Sequence, residues 1–277
     1  MRHIDHIVVA VRDLDQAADL YRRLGFKVGP RNQHPWGTEN RLIQFAGSFM
    51  ELITLGGAAE LIVPHRPRQF SFGAFVQDFL NRREGVAMLA LRSADAAYDA
   101  AAFAAQRIGD FDPFFFQRNA KKPDGSLTEV AFTLAFAADP AAPDAGFFVC
   151  QQHYPENFWN TEFQRHPNGA EEIAAVTLAT PDPGRHEEFL TQFTGAQKQL
   201  TPERGLRFAL ERGRLEVVSA ADRQTQPLLT SMSVRVRDLG VVARLLGAEG
   251  VPFTTFEEQI VLAPKDLLGV ELQFEAR

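Results

Sequence analysis

The sequence predicts an α+β protein built from four βαβββ modules, arranged as two paired domains over residues 1–168 and 169–277. Three observations carry this prediction. At 277 residues the chain exceeds the usual size of one domain. Strand, helix and hairpin patterns recur in the same order four times. The segment Val8-Val9-Ala10-Val11-Arg12-Asp13-Leu14 also aligns without a gap on Ser233-Val234-Arg235-Val236-Arg237-Asp238-Leu239, and each segment crosses from a strand into a helix cap.

The first module opens with a strand, His3 to Val11, that is apolar on both sides: Ile4, Val8 and Ala10 share a face with His6. Asp13 reads as an N-cap with Gln16 three residues on, and Leu14, Ala17, Ala18, Tyr21 and Leu24 follow at helical spacing up to Gly25. A short strand is expected at Phe26 to Val28, then a polar loop, then a hairpin of Arg41 to Phe45 and Ser48 to Thr54. On its last strand Phe49, Glu51 and Ile53 share a face. Residues 56–83 read as a loop with a short helix whose phenylalanines lie on a core or cover a pocket.

The second module runs from a strand at Val86 to Leu91 through Ser93 as N-cap and an alanine-rich helix. An irregular stretch, Phe111 to Lys122, and a turn at Pro123-Asp124-Gly125 precede strands at Thr128 to Ala137 and Phe147 to His153. The third module starts at Ile173 to Thr180 and is capped by Asp182. It ends in strands at Leu206 to Leu210 and Leu215 to Ser219. The fourth runs from Thr230 through Asp238 to Val270 to Phe274.

Composition excludes several functions. A net charge of −6 with scattered Lys and Arg offers no footprint for nucleic acid. Cys150 is the single cysteine, so there is no internal disulfide and no cysteine-based zinc cage, in keeping with a reducing compartment. The apolar run Ile7 to Val11 is closed at once by Arg12 and Asp13, which fits neither a signal peptide nor a membrane span. The expectation is a cytoplasmic protein without membrane partners, monomer or homodimer. No phosphate-binding loop and no nucleophile elbow is present.

His6 and Glu51 stand out because each lies in an apolar strand, where an unpartnered polar side chain is costly. They could hold a metal, or simply hydrogen-bond each other or a water. Glu216 and Glu271 occupy matching strand places without a histidine, so the glutamate can in part be inherited with the repeat.

These residues resemble the vicinal oxygen chelate superfamily, the glyoxalase, bleomycin-resistance and extradiol-dioxygenase group. The likeness is greatest to its glyoxalase-like domain proteins, in Asp5-His6-Ile7-Val8, Asp13-Leu14-Asp15, Leu24-Gly25-Phe26, His34-Pro35-Trp36-Gly37-Thr38-Glu39-Asn40 and Met50-Glu51-Leu52. The resemblance implies paired modules around a cavity that often holds a divalent metal (Zn, Fe, Mn or Ni) bound by first- and last-strand residues. It places His6 and Glu51 at two ligand positions, with His153 as a third and Gln151, or Cys150 if the register shifts, beside it. The first-strand position of the second module falls near Val86 or Ala87, and those of the later modules on Ala175 and Ser231. Any site is therefore expected in the first half, with the second half a degenerate copy. Glu51 is the expected catalytic base, and His34, Trp36, Asn40, Gln151 and Arg118 the expected substrate contacts. For His34 ordinary turn chemistry, and for His153 a loop position, are the plain alternatives. The implied function is a metal-dependent lyase, isomerase or dioxygenase acting on a small molecule with adjacent oxygens. The alternative is a metal-free protein that sequesters a small molecule, as in the bleomycin-resistance branch.

Overall fold

The computed structural model describes residues 2–122, 125–220 and 226–277. The expected turn residues Pro123 and Asp124 lie outside that range. The first module comprises β1 (Ile4–Ala10), α1 (Leu14–Arg23), β2 (Asn32–Gln33), β3 (Thr38–Gln44) and β4 (Phe49–Leu55). Helix α2 (Phe72–Arg82) follows it. The second module comprises β5 (Gly85–Arg92), α3 (Ala96–Ala105), β6 (Phe114–Lys121), β7 (Leu127–Ala137) and β8 (Gly146–Gln152), and is followed by α4 (Pro155–Phe158). The third has β9 (Ala170–Thr180), α5 (Glu187–Thr194), β10 (Lys198–Leu200), β11 (Leu206–Ala209) and β12 (Arg214–Ser219). The fourth has β13 (Leu228–Val236), α6 (Leu239–Ala248), β14 (Thr254–Phe256), β15 (Gln259–Leu262) and β16 (Glu271–Ala276).

Each pair of modules makes one eight-stranded sheet, in the orders β2-β3-β4-β1-β5-β8-β7-β6 and β10-β11-β12-β9-β13-β16-β15-β14. First and last strands pair parallel within every module, and β1 meets β5, as β9 meets β13, antiparallel at the centre. The aligned aspartates do what the repeat implies: Asp13, Asp182 and Asp238 each cap a helix through side-chain contacts to its first backbone N–H groups. The outer faces of the two sheets and their helices share one apolar core, in which Phe147 meets Phe189 and Phe193, and Phe26 stacks on Phe274 at 5.8 Å. No helix among the described residues is long and apolar enough to cross a membrane.

Four details depart from the sequence reading. The short second strand lies at Asn32–Gln33 rather than Phe26 to Val28, because Phe26 is buried in the core and its N–H goes back to the Tyr21 carbonyl. Most of Phe111 to Lys122 is not irregular: from Phe114 to Lys121, β6 pairs with β7 along its length, with Phe114, Phe116 and Arg118 alternating against Phe115 and Gln117. The cap of α3 is Asp95, which accepts from the Tyr98 N–H, whereas Ser93 donates to Asp99. Finally, the β1–β5 register slips between Ile4 and His6, so a bulge at Asp5 turns Ile4 to the outer core with Ile7 and leaves His6 facing inward with Val8.

Candidate functional site

The concave face of the first sheet holds a second apolar cluster, built from inward residues of every strand but β2 together with Phe72, Val76 and Phe79 of α2. The sheet curls until its edge strands meet. Arg118 of β6 donates from Nη1 to Asn32 Oδ1 of β2 at 3.1 Å, and Trp36 packs edge-on against Phe114 and Phe116. Inside lies a cavity of about 40 Å³, room for about three waters. His6, His34, Asn40, Glu51 and Arg118 line it among aromatic rings.

The bulge explains the orientation of His6. It lets the neighbouring Asp5 side chain, fully buried, reach the imidazole: Asp5 Oδ1 lies 2.6 Å from His6 Nδ1. Its other oxygen accepts from Gln152 Nε2 at 2.9 Å and from Arg92 at 3.3 Å. A carboxylate there holds the proton on Nδ1 and turns the Nε2 lone pair into the cavity. The ring also stacks on Phe49, with centroids 4.2 Å apart. Across the cavity, Nε2 faces Glu51 Oε2 at 4.0 Å, too far for a hydrogen bond.

Glu51 is anchored by its other oxygen. Asn40 Nδ2 donates to Oε1 and lies 3.2 Å from His34 Nε2, while His34 Nδ1 is 2.8 Å from Thr38 Oγ1. Asn40 Oδ1 in turn accepts from Asn32, the residue that Arg118 contacts. The polar groups thus form one line, Arg118, Asn32, Asn40, Glu51, with His34 as a branch. Burial pushes the Glu51 carboxyl above the usual carboxylate range, against the opposing pull of His6, Asn40 and Arg118. Burial also holds His34 neutral, with its pKa pushed down to about 3. The Cys150 thiol, on the same face, is pushed up by burial and by Asp5.

Of the residues expected from the sequence, His6, His34, Trp36, Asn40, Glu51 and Arg118 are brought together. Gln151 and His153 are not. Gln151 points to the outer face, where Oε1 accepts from the Ala96 N–H at the start of α3, and His153 is exposed against Thr133 and Phe115. The inward residues of β8 are Phe148, Cys150 and Gln152. Matching Asp13 to Asp95, rather than to Ser93, puts Met88 at the His6 position of the second module. It also puts Phe148, beside Ala90, where Glu51 lies beside Val8. Both are buried and apolar. In the fourth module the place of Glu51 falls on Gln273 rather than Glu271, because Ser233 pairs with Gln273.

Asp5 and Asn32 escaped the sequence reading as site residues. For Asp5 the signal was an aspartate inside an apolar strand, masked by a bulge that pattern alone does not show. Asp5, His6 and Cys150 also bring one potential ligand atom each within 4.8 Å of one another, but both Asp5 oxygens are already engaged by His6, Gln152 and Arg92.

The chain is similar in fold to a hypothetical protein from Staphylococcus aureus, with a TM-score of 0.72 at 10% identity over 100% of both chains. It is also similar to a mutant 4-hydroxymandelate synthase from Streptomyces coelicolor, with a TM-score of 0.62 at 11% identity over 99% of this chain and 92% of that one. Homoprotocatechuate 2,3-dioxygenase from Arthrobacter globiformis gives a TM-score of 0.59 at 12% identity over 99% and 79%. No curated protein matches the sequence significantly. The glyoxalase-like domain family matches residues 4–194, more than half of the chain. With the paired βαβββ modules and these neighbours, that match makes the chain a member of the glyoxalase-like domain family, within the vicinal oxygen chelate superfamily.

Proposed function

We propose that the first cavity is the active site of a metal-dependent enzyme acting on a small molecule with adjacent oxygens, by lyase, isomerase or dioxygenase chemistry. The observation that carries this is the His6–Glu51 gap. Nε2 and Oε2 face one another 4.0 Å apart, and neither takes a hydrogen bond among the described residues. Two donors about 2.1 Å from a common ion stand about 3.0–3.4 Å apart in octahedral or tetrahedral geometry, so a closure of about 1 Å or less brings both onto one ion. Imidazole with carboxylate suits zinc, iron, manganese or nickel.

In this reading His6 Nε2 and Glu51 Oε2 hold the ion, and the second module adds nothing, since Met88 and Phe148 fill its two positions. Two protein ligands are fewer than the three of a catalytic zinc site, so the ion would be held weakly and exchange readily. When bound, the metal supplies Lewis-acid polarisation of a substrate oxygen. Asp5 keeps His6 in the tautomer that presents Nε2. Glu51, raised by burial and fixed at Oε1 by Asn40, would leave the ion to take or return a proton through Oε2. Neutral His34 and the aromatic walls exclude water and add no competing charge.

The test is a titration of the purified protein with zinc, manganese, nickel and anaerobic ferrous iron, beside Glu51→Ala. One saturable equivalent in the wild type and none in the variant supports the metal reading. No binding in either would sink it. It would leave the second reading, a metal-free pocket that sequesters its ligand, which the apolar Met88 and Phe148 favour.

A further inference from the structure

We infer that the site takes a small aromatic carboxylate and that Arg118 is the residue that binds its carboxylate group. The inference rests on the first cavity being the small-molecule site, but not on a metal. Among the described residues, Arg2, Arg41, Arg83, Arg92, Arg214 and Arg235 are the other arginines that are not exposed. Each is ion-paired to an aspartate or glutamate. Among the described residues, no carboxylate lies within 4 Å of Arg118. The carboxyl group that it faces across the inner cavity is that of Glu51.

The free part of Arg118 has a definite shape. Nη1 is used, donating to Asn32 Oδ1 at 3.1 Å and to the Asn119 carbonyl at 3.4 Å. Nε is buried without a partner, and Nη2 makes no hydrogen bond among the described residues. Nε–H and Nη2–H point the same way and form the fork that receives both oxygens of a carboxylate. A buried donor left in this state is costly until something accepts from it.

Position supplies the rest of the ligand. Arg118 lines the inner cavity and also an outer one of about 160 Å³, walled by Phe158, Trp159 and Phe163. A cavity of about 150 Å³ is enough for benzene. A ring therefore fits in the outer cavity with its carboxylate on the Arg118 fork, at the boundary with the cavity of His6 and Glu51.

The probes are benzoate and its neutral counterpart benzamide, titrated by calorimetry into the full-length, chelator-treated protein and into Arg118→Gln and Arg118→Lys. The expected result is benzoate binding about tenfold or more tighter than benzamide in the wild type. That preference should vanish in Arg118→Gln and shrink in Arg118→Lys, which keeps the charge but loses the fork. Equal binding of the two probes, binding of neither, or an undiminished preference in folded Arg118→Gln overturns the inference. Should Arg118→Gln fail to fold, the wild-type preference and the Arg118→Lys variant decide. Because the protein is metal-free in this assay, an Arg118-dependent benzoate preference beside a failed metal titration removes the metal reading alone. The converse pair of results removes only the carboxylate.

Discussion

The concave faces of the two sheets share one topology and differ in almost everything else. In the first, edge strands β2 and β6 meet through Arg118 and Asn32, and phenylalanines fill the interior down to a cavity of about 40 Å³. In the second, no hydrogen bond joins β10 to β14 among the described residues, and a groove of about 780 Å³ remains. Its strands carry ion pairs: Arg214 with Glu216 and Glu275, and Arg235 with Glu275 and Glu172. Burial raises the Glu275 carboxyl, but the two arginines outweigh it and hold the group below the usual range. Charged pairs of this kind keep their water, whereas phenylalanines expel it. The same fold therefore makes a dry site when its inward positions are aromatic and a wet surface when they are charged. Burial therefore wins at Glu51, whose carboxyl is raised, and ion pairing wins at Glu275, whose carboxyl is lowered.

The comparison can be broken most directly at the glutamates. Glu51→Ala should abolish metal binding and lower activity by about 10²–10⁴-fold, whereas Glu216→Ala, at the same register place in the third module, should change either by less than about twofold. Equal effects of the two substitutions on metal affinity would place the site elsewhere. The next largest contrast is in stability, read from urea unfolding. Asp5→Ala leaves His6, Gln152 and Arg92 without their common acceptor and should cost about 3–5 kcal/mol. Glu275→Ala, in the partly exposed network of the second face, should cost less, about 1 kcal/mol. A cost of similar size at Glu275 would show that the second face is as dry as the first.

The pH dependence sharpens the contrast further. His34 falls from 6.5 to about 3 and His166 from 6.5 to about 4 on folding, both chiefly by burial. The unfolded chain takes up these protons first. Their contribution is therefore complete above pH 6.5 and is lost as the pH falls, at about 1.4 kcal/mol per unit per histidine. Glu51 runs the other way, contributing fully below 4.5 and losing that contribution as the pH rises through its raised value. His34→Gln should flatten the decline of the urea midpoint between pH 6.5 and 4, and an unchanged slope would mean that His34 is not held neutral. The smallest effect is expected at His153. His153→Ala should shift stability by about 0.5 kcal/mol or less and leave metal affinity unchanged, since its ring sits outside the sheet.

The sequence by itself determined the repeat, the module order and the first half of the site. Periodicity and caps are local properties, and Asp13 and Asp238 mark the same boundary in two modules. His6 and Glu51 were legible because a polar residue in an apolar strand demands a partner. Tertiary structure decided which residues became those partners. The bulge at Asp5 is a relation between two strands, and it alone brings Asp5 to His6. Register across β5 and β8 set Phe148 rather than Gln151 opposite Glu51, a difference of three residues that parity cannot resolve once the cap is placed on Ser93 instead of Asp95. Closure of the sheet, which joins Arg118 to Asn32 across about 86 residues of chain, is a contact between edges. Such contacts arise only when the aromatic interior draws the sheet shut, and no local pattern encodes them.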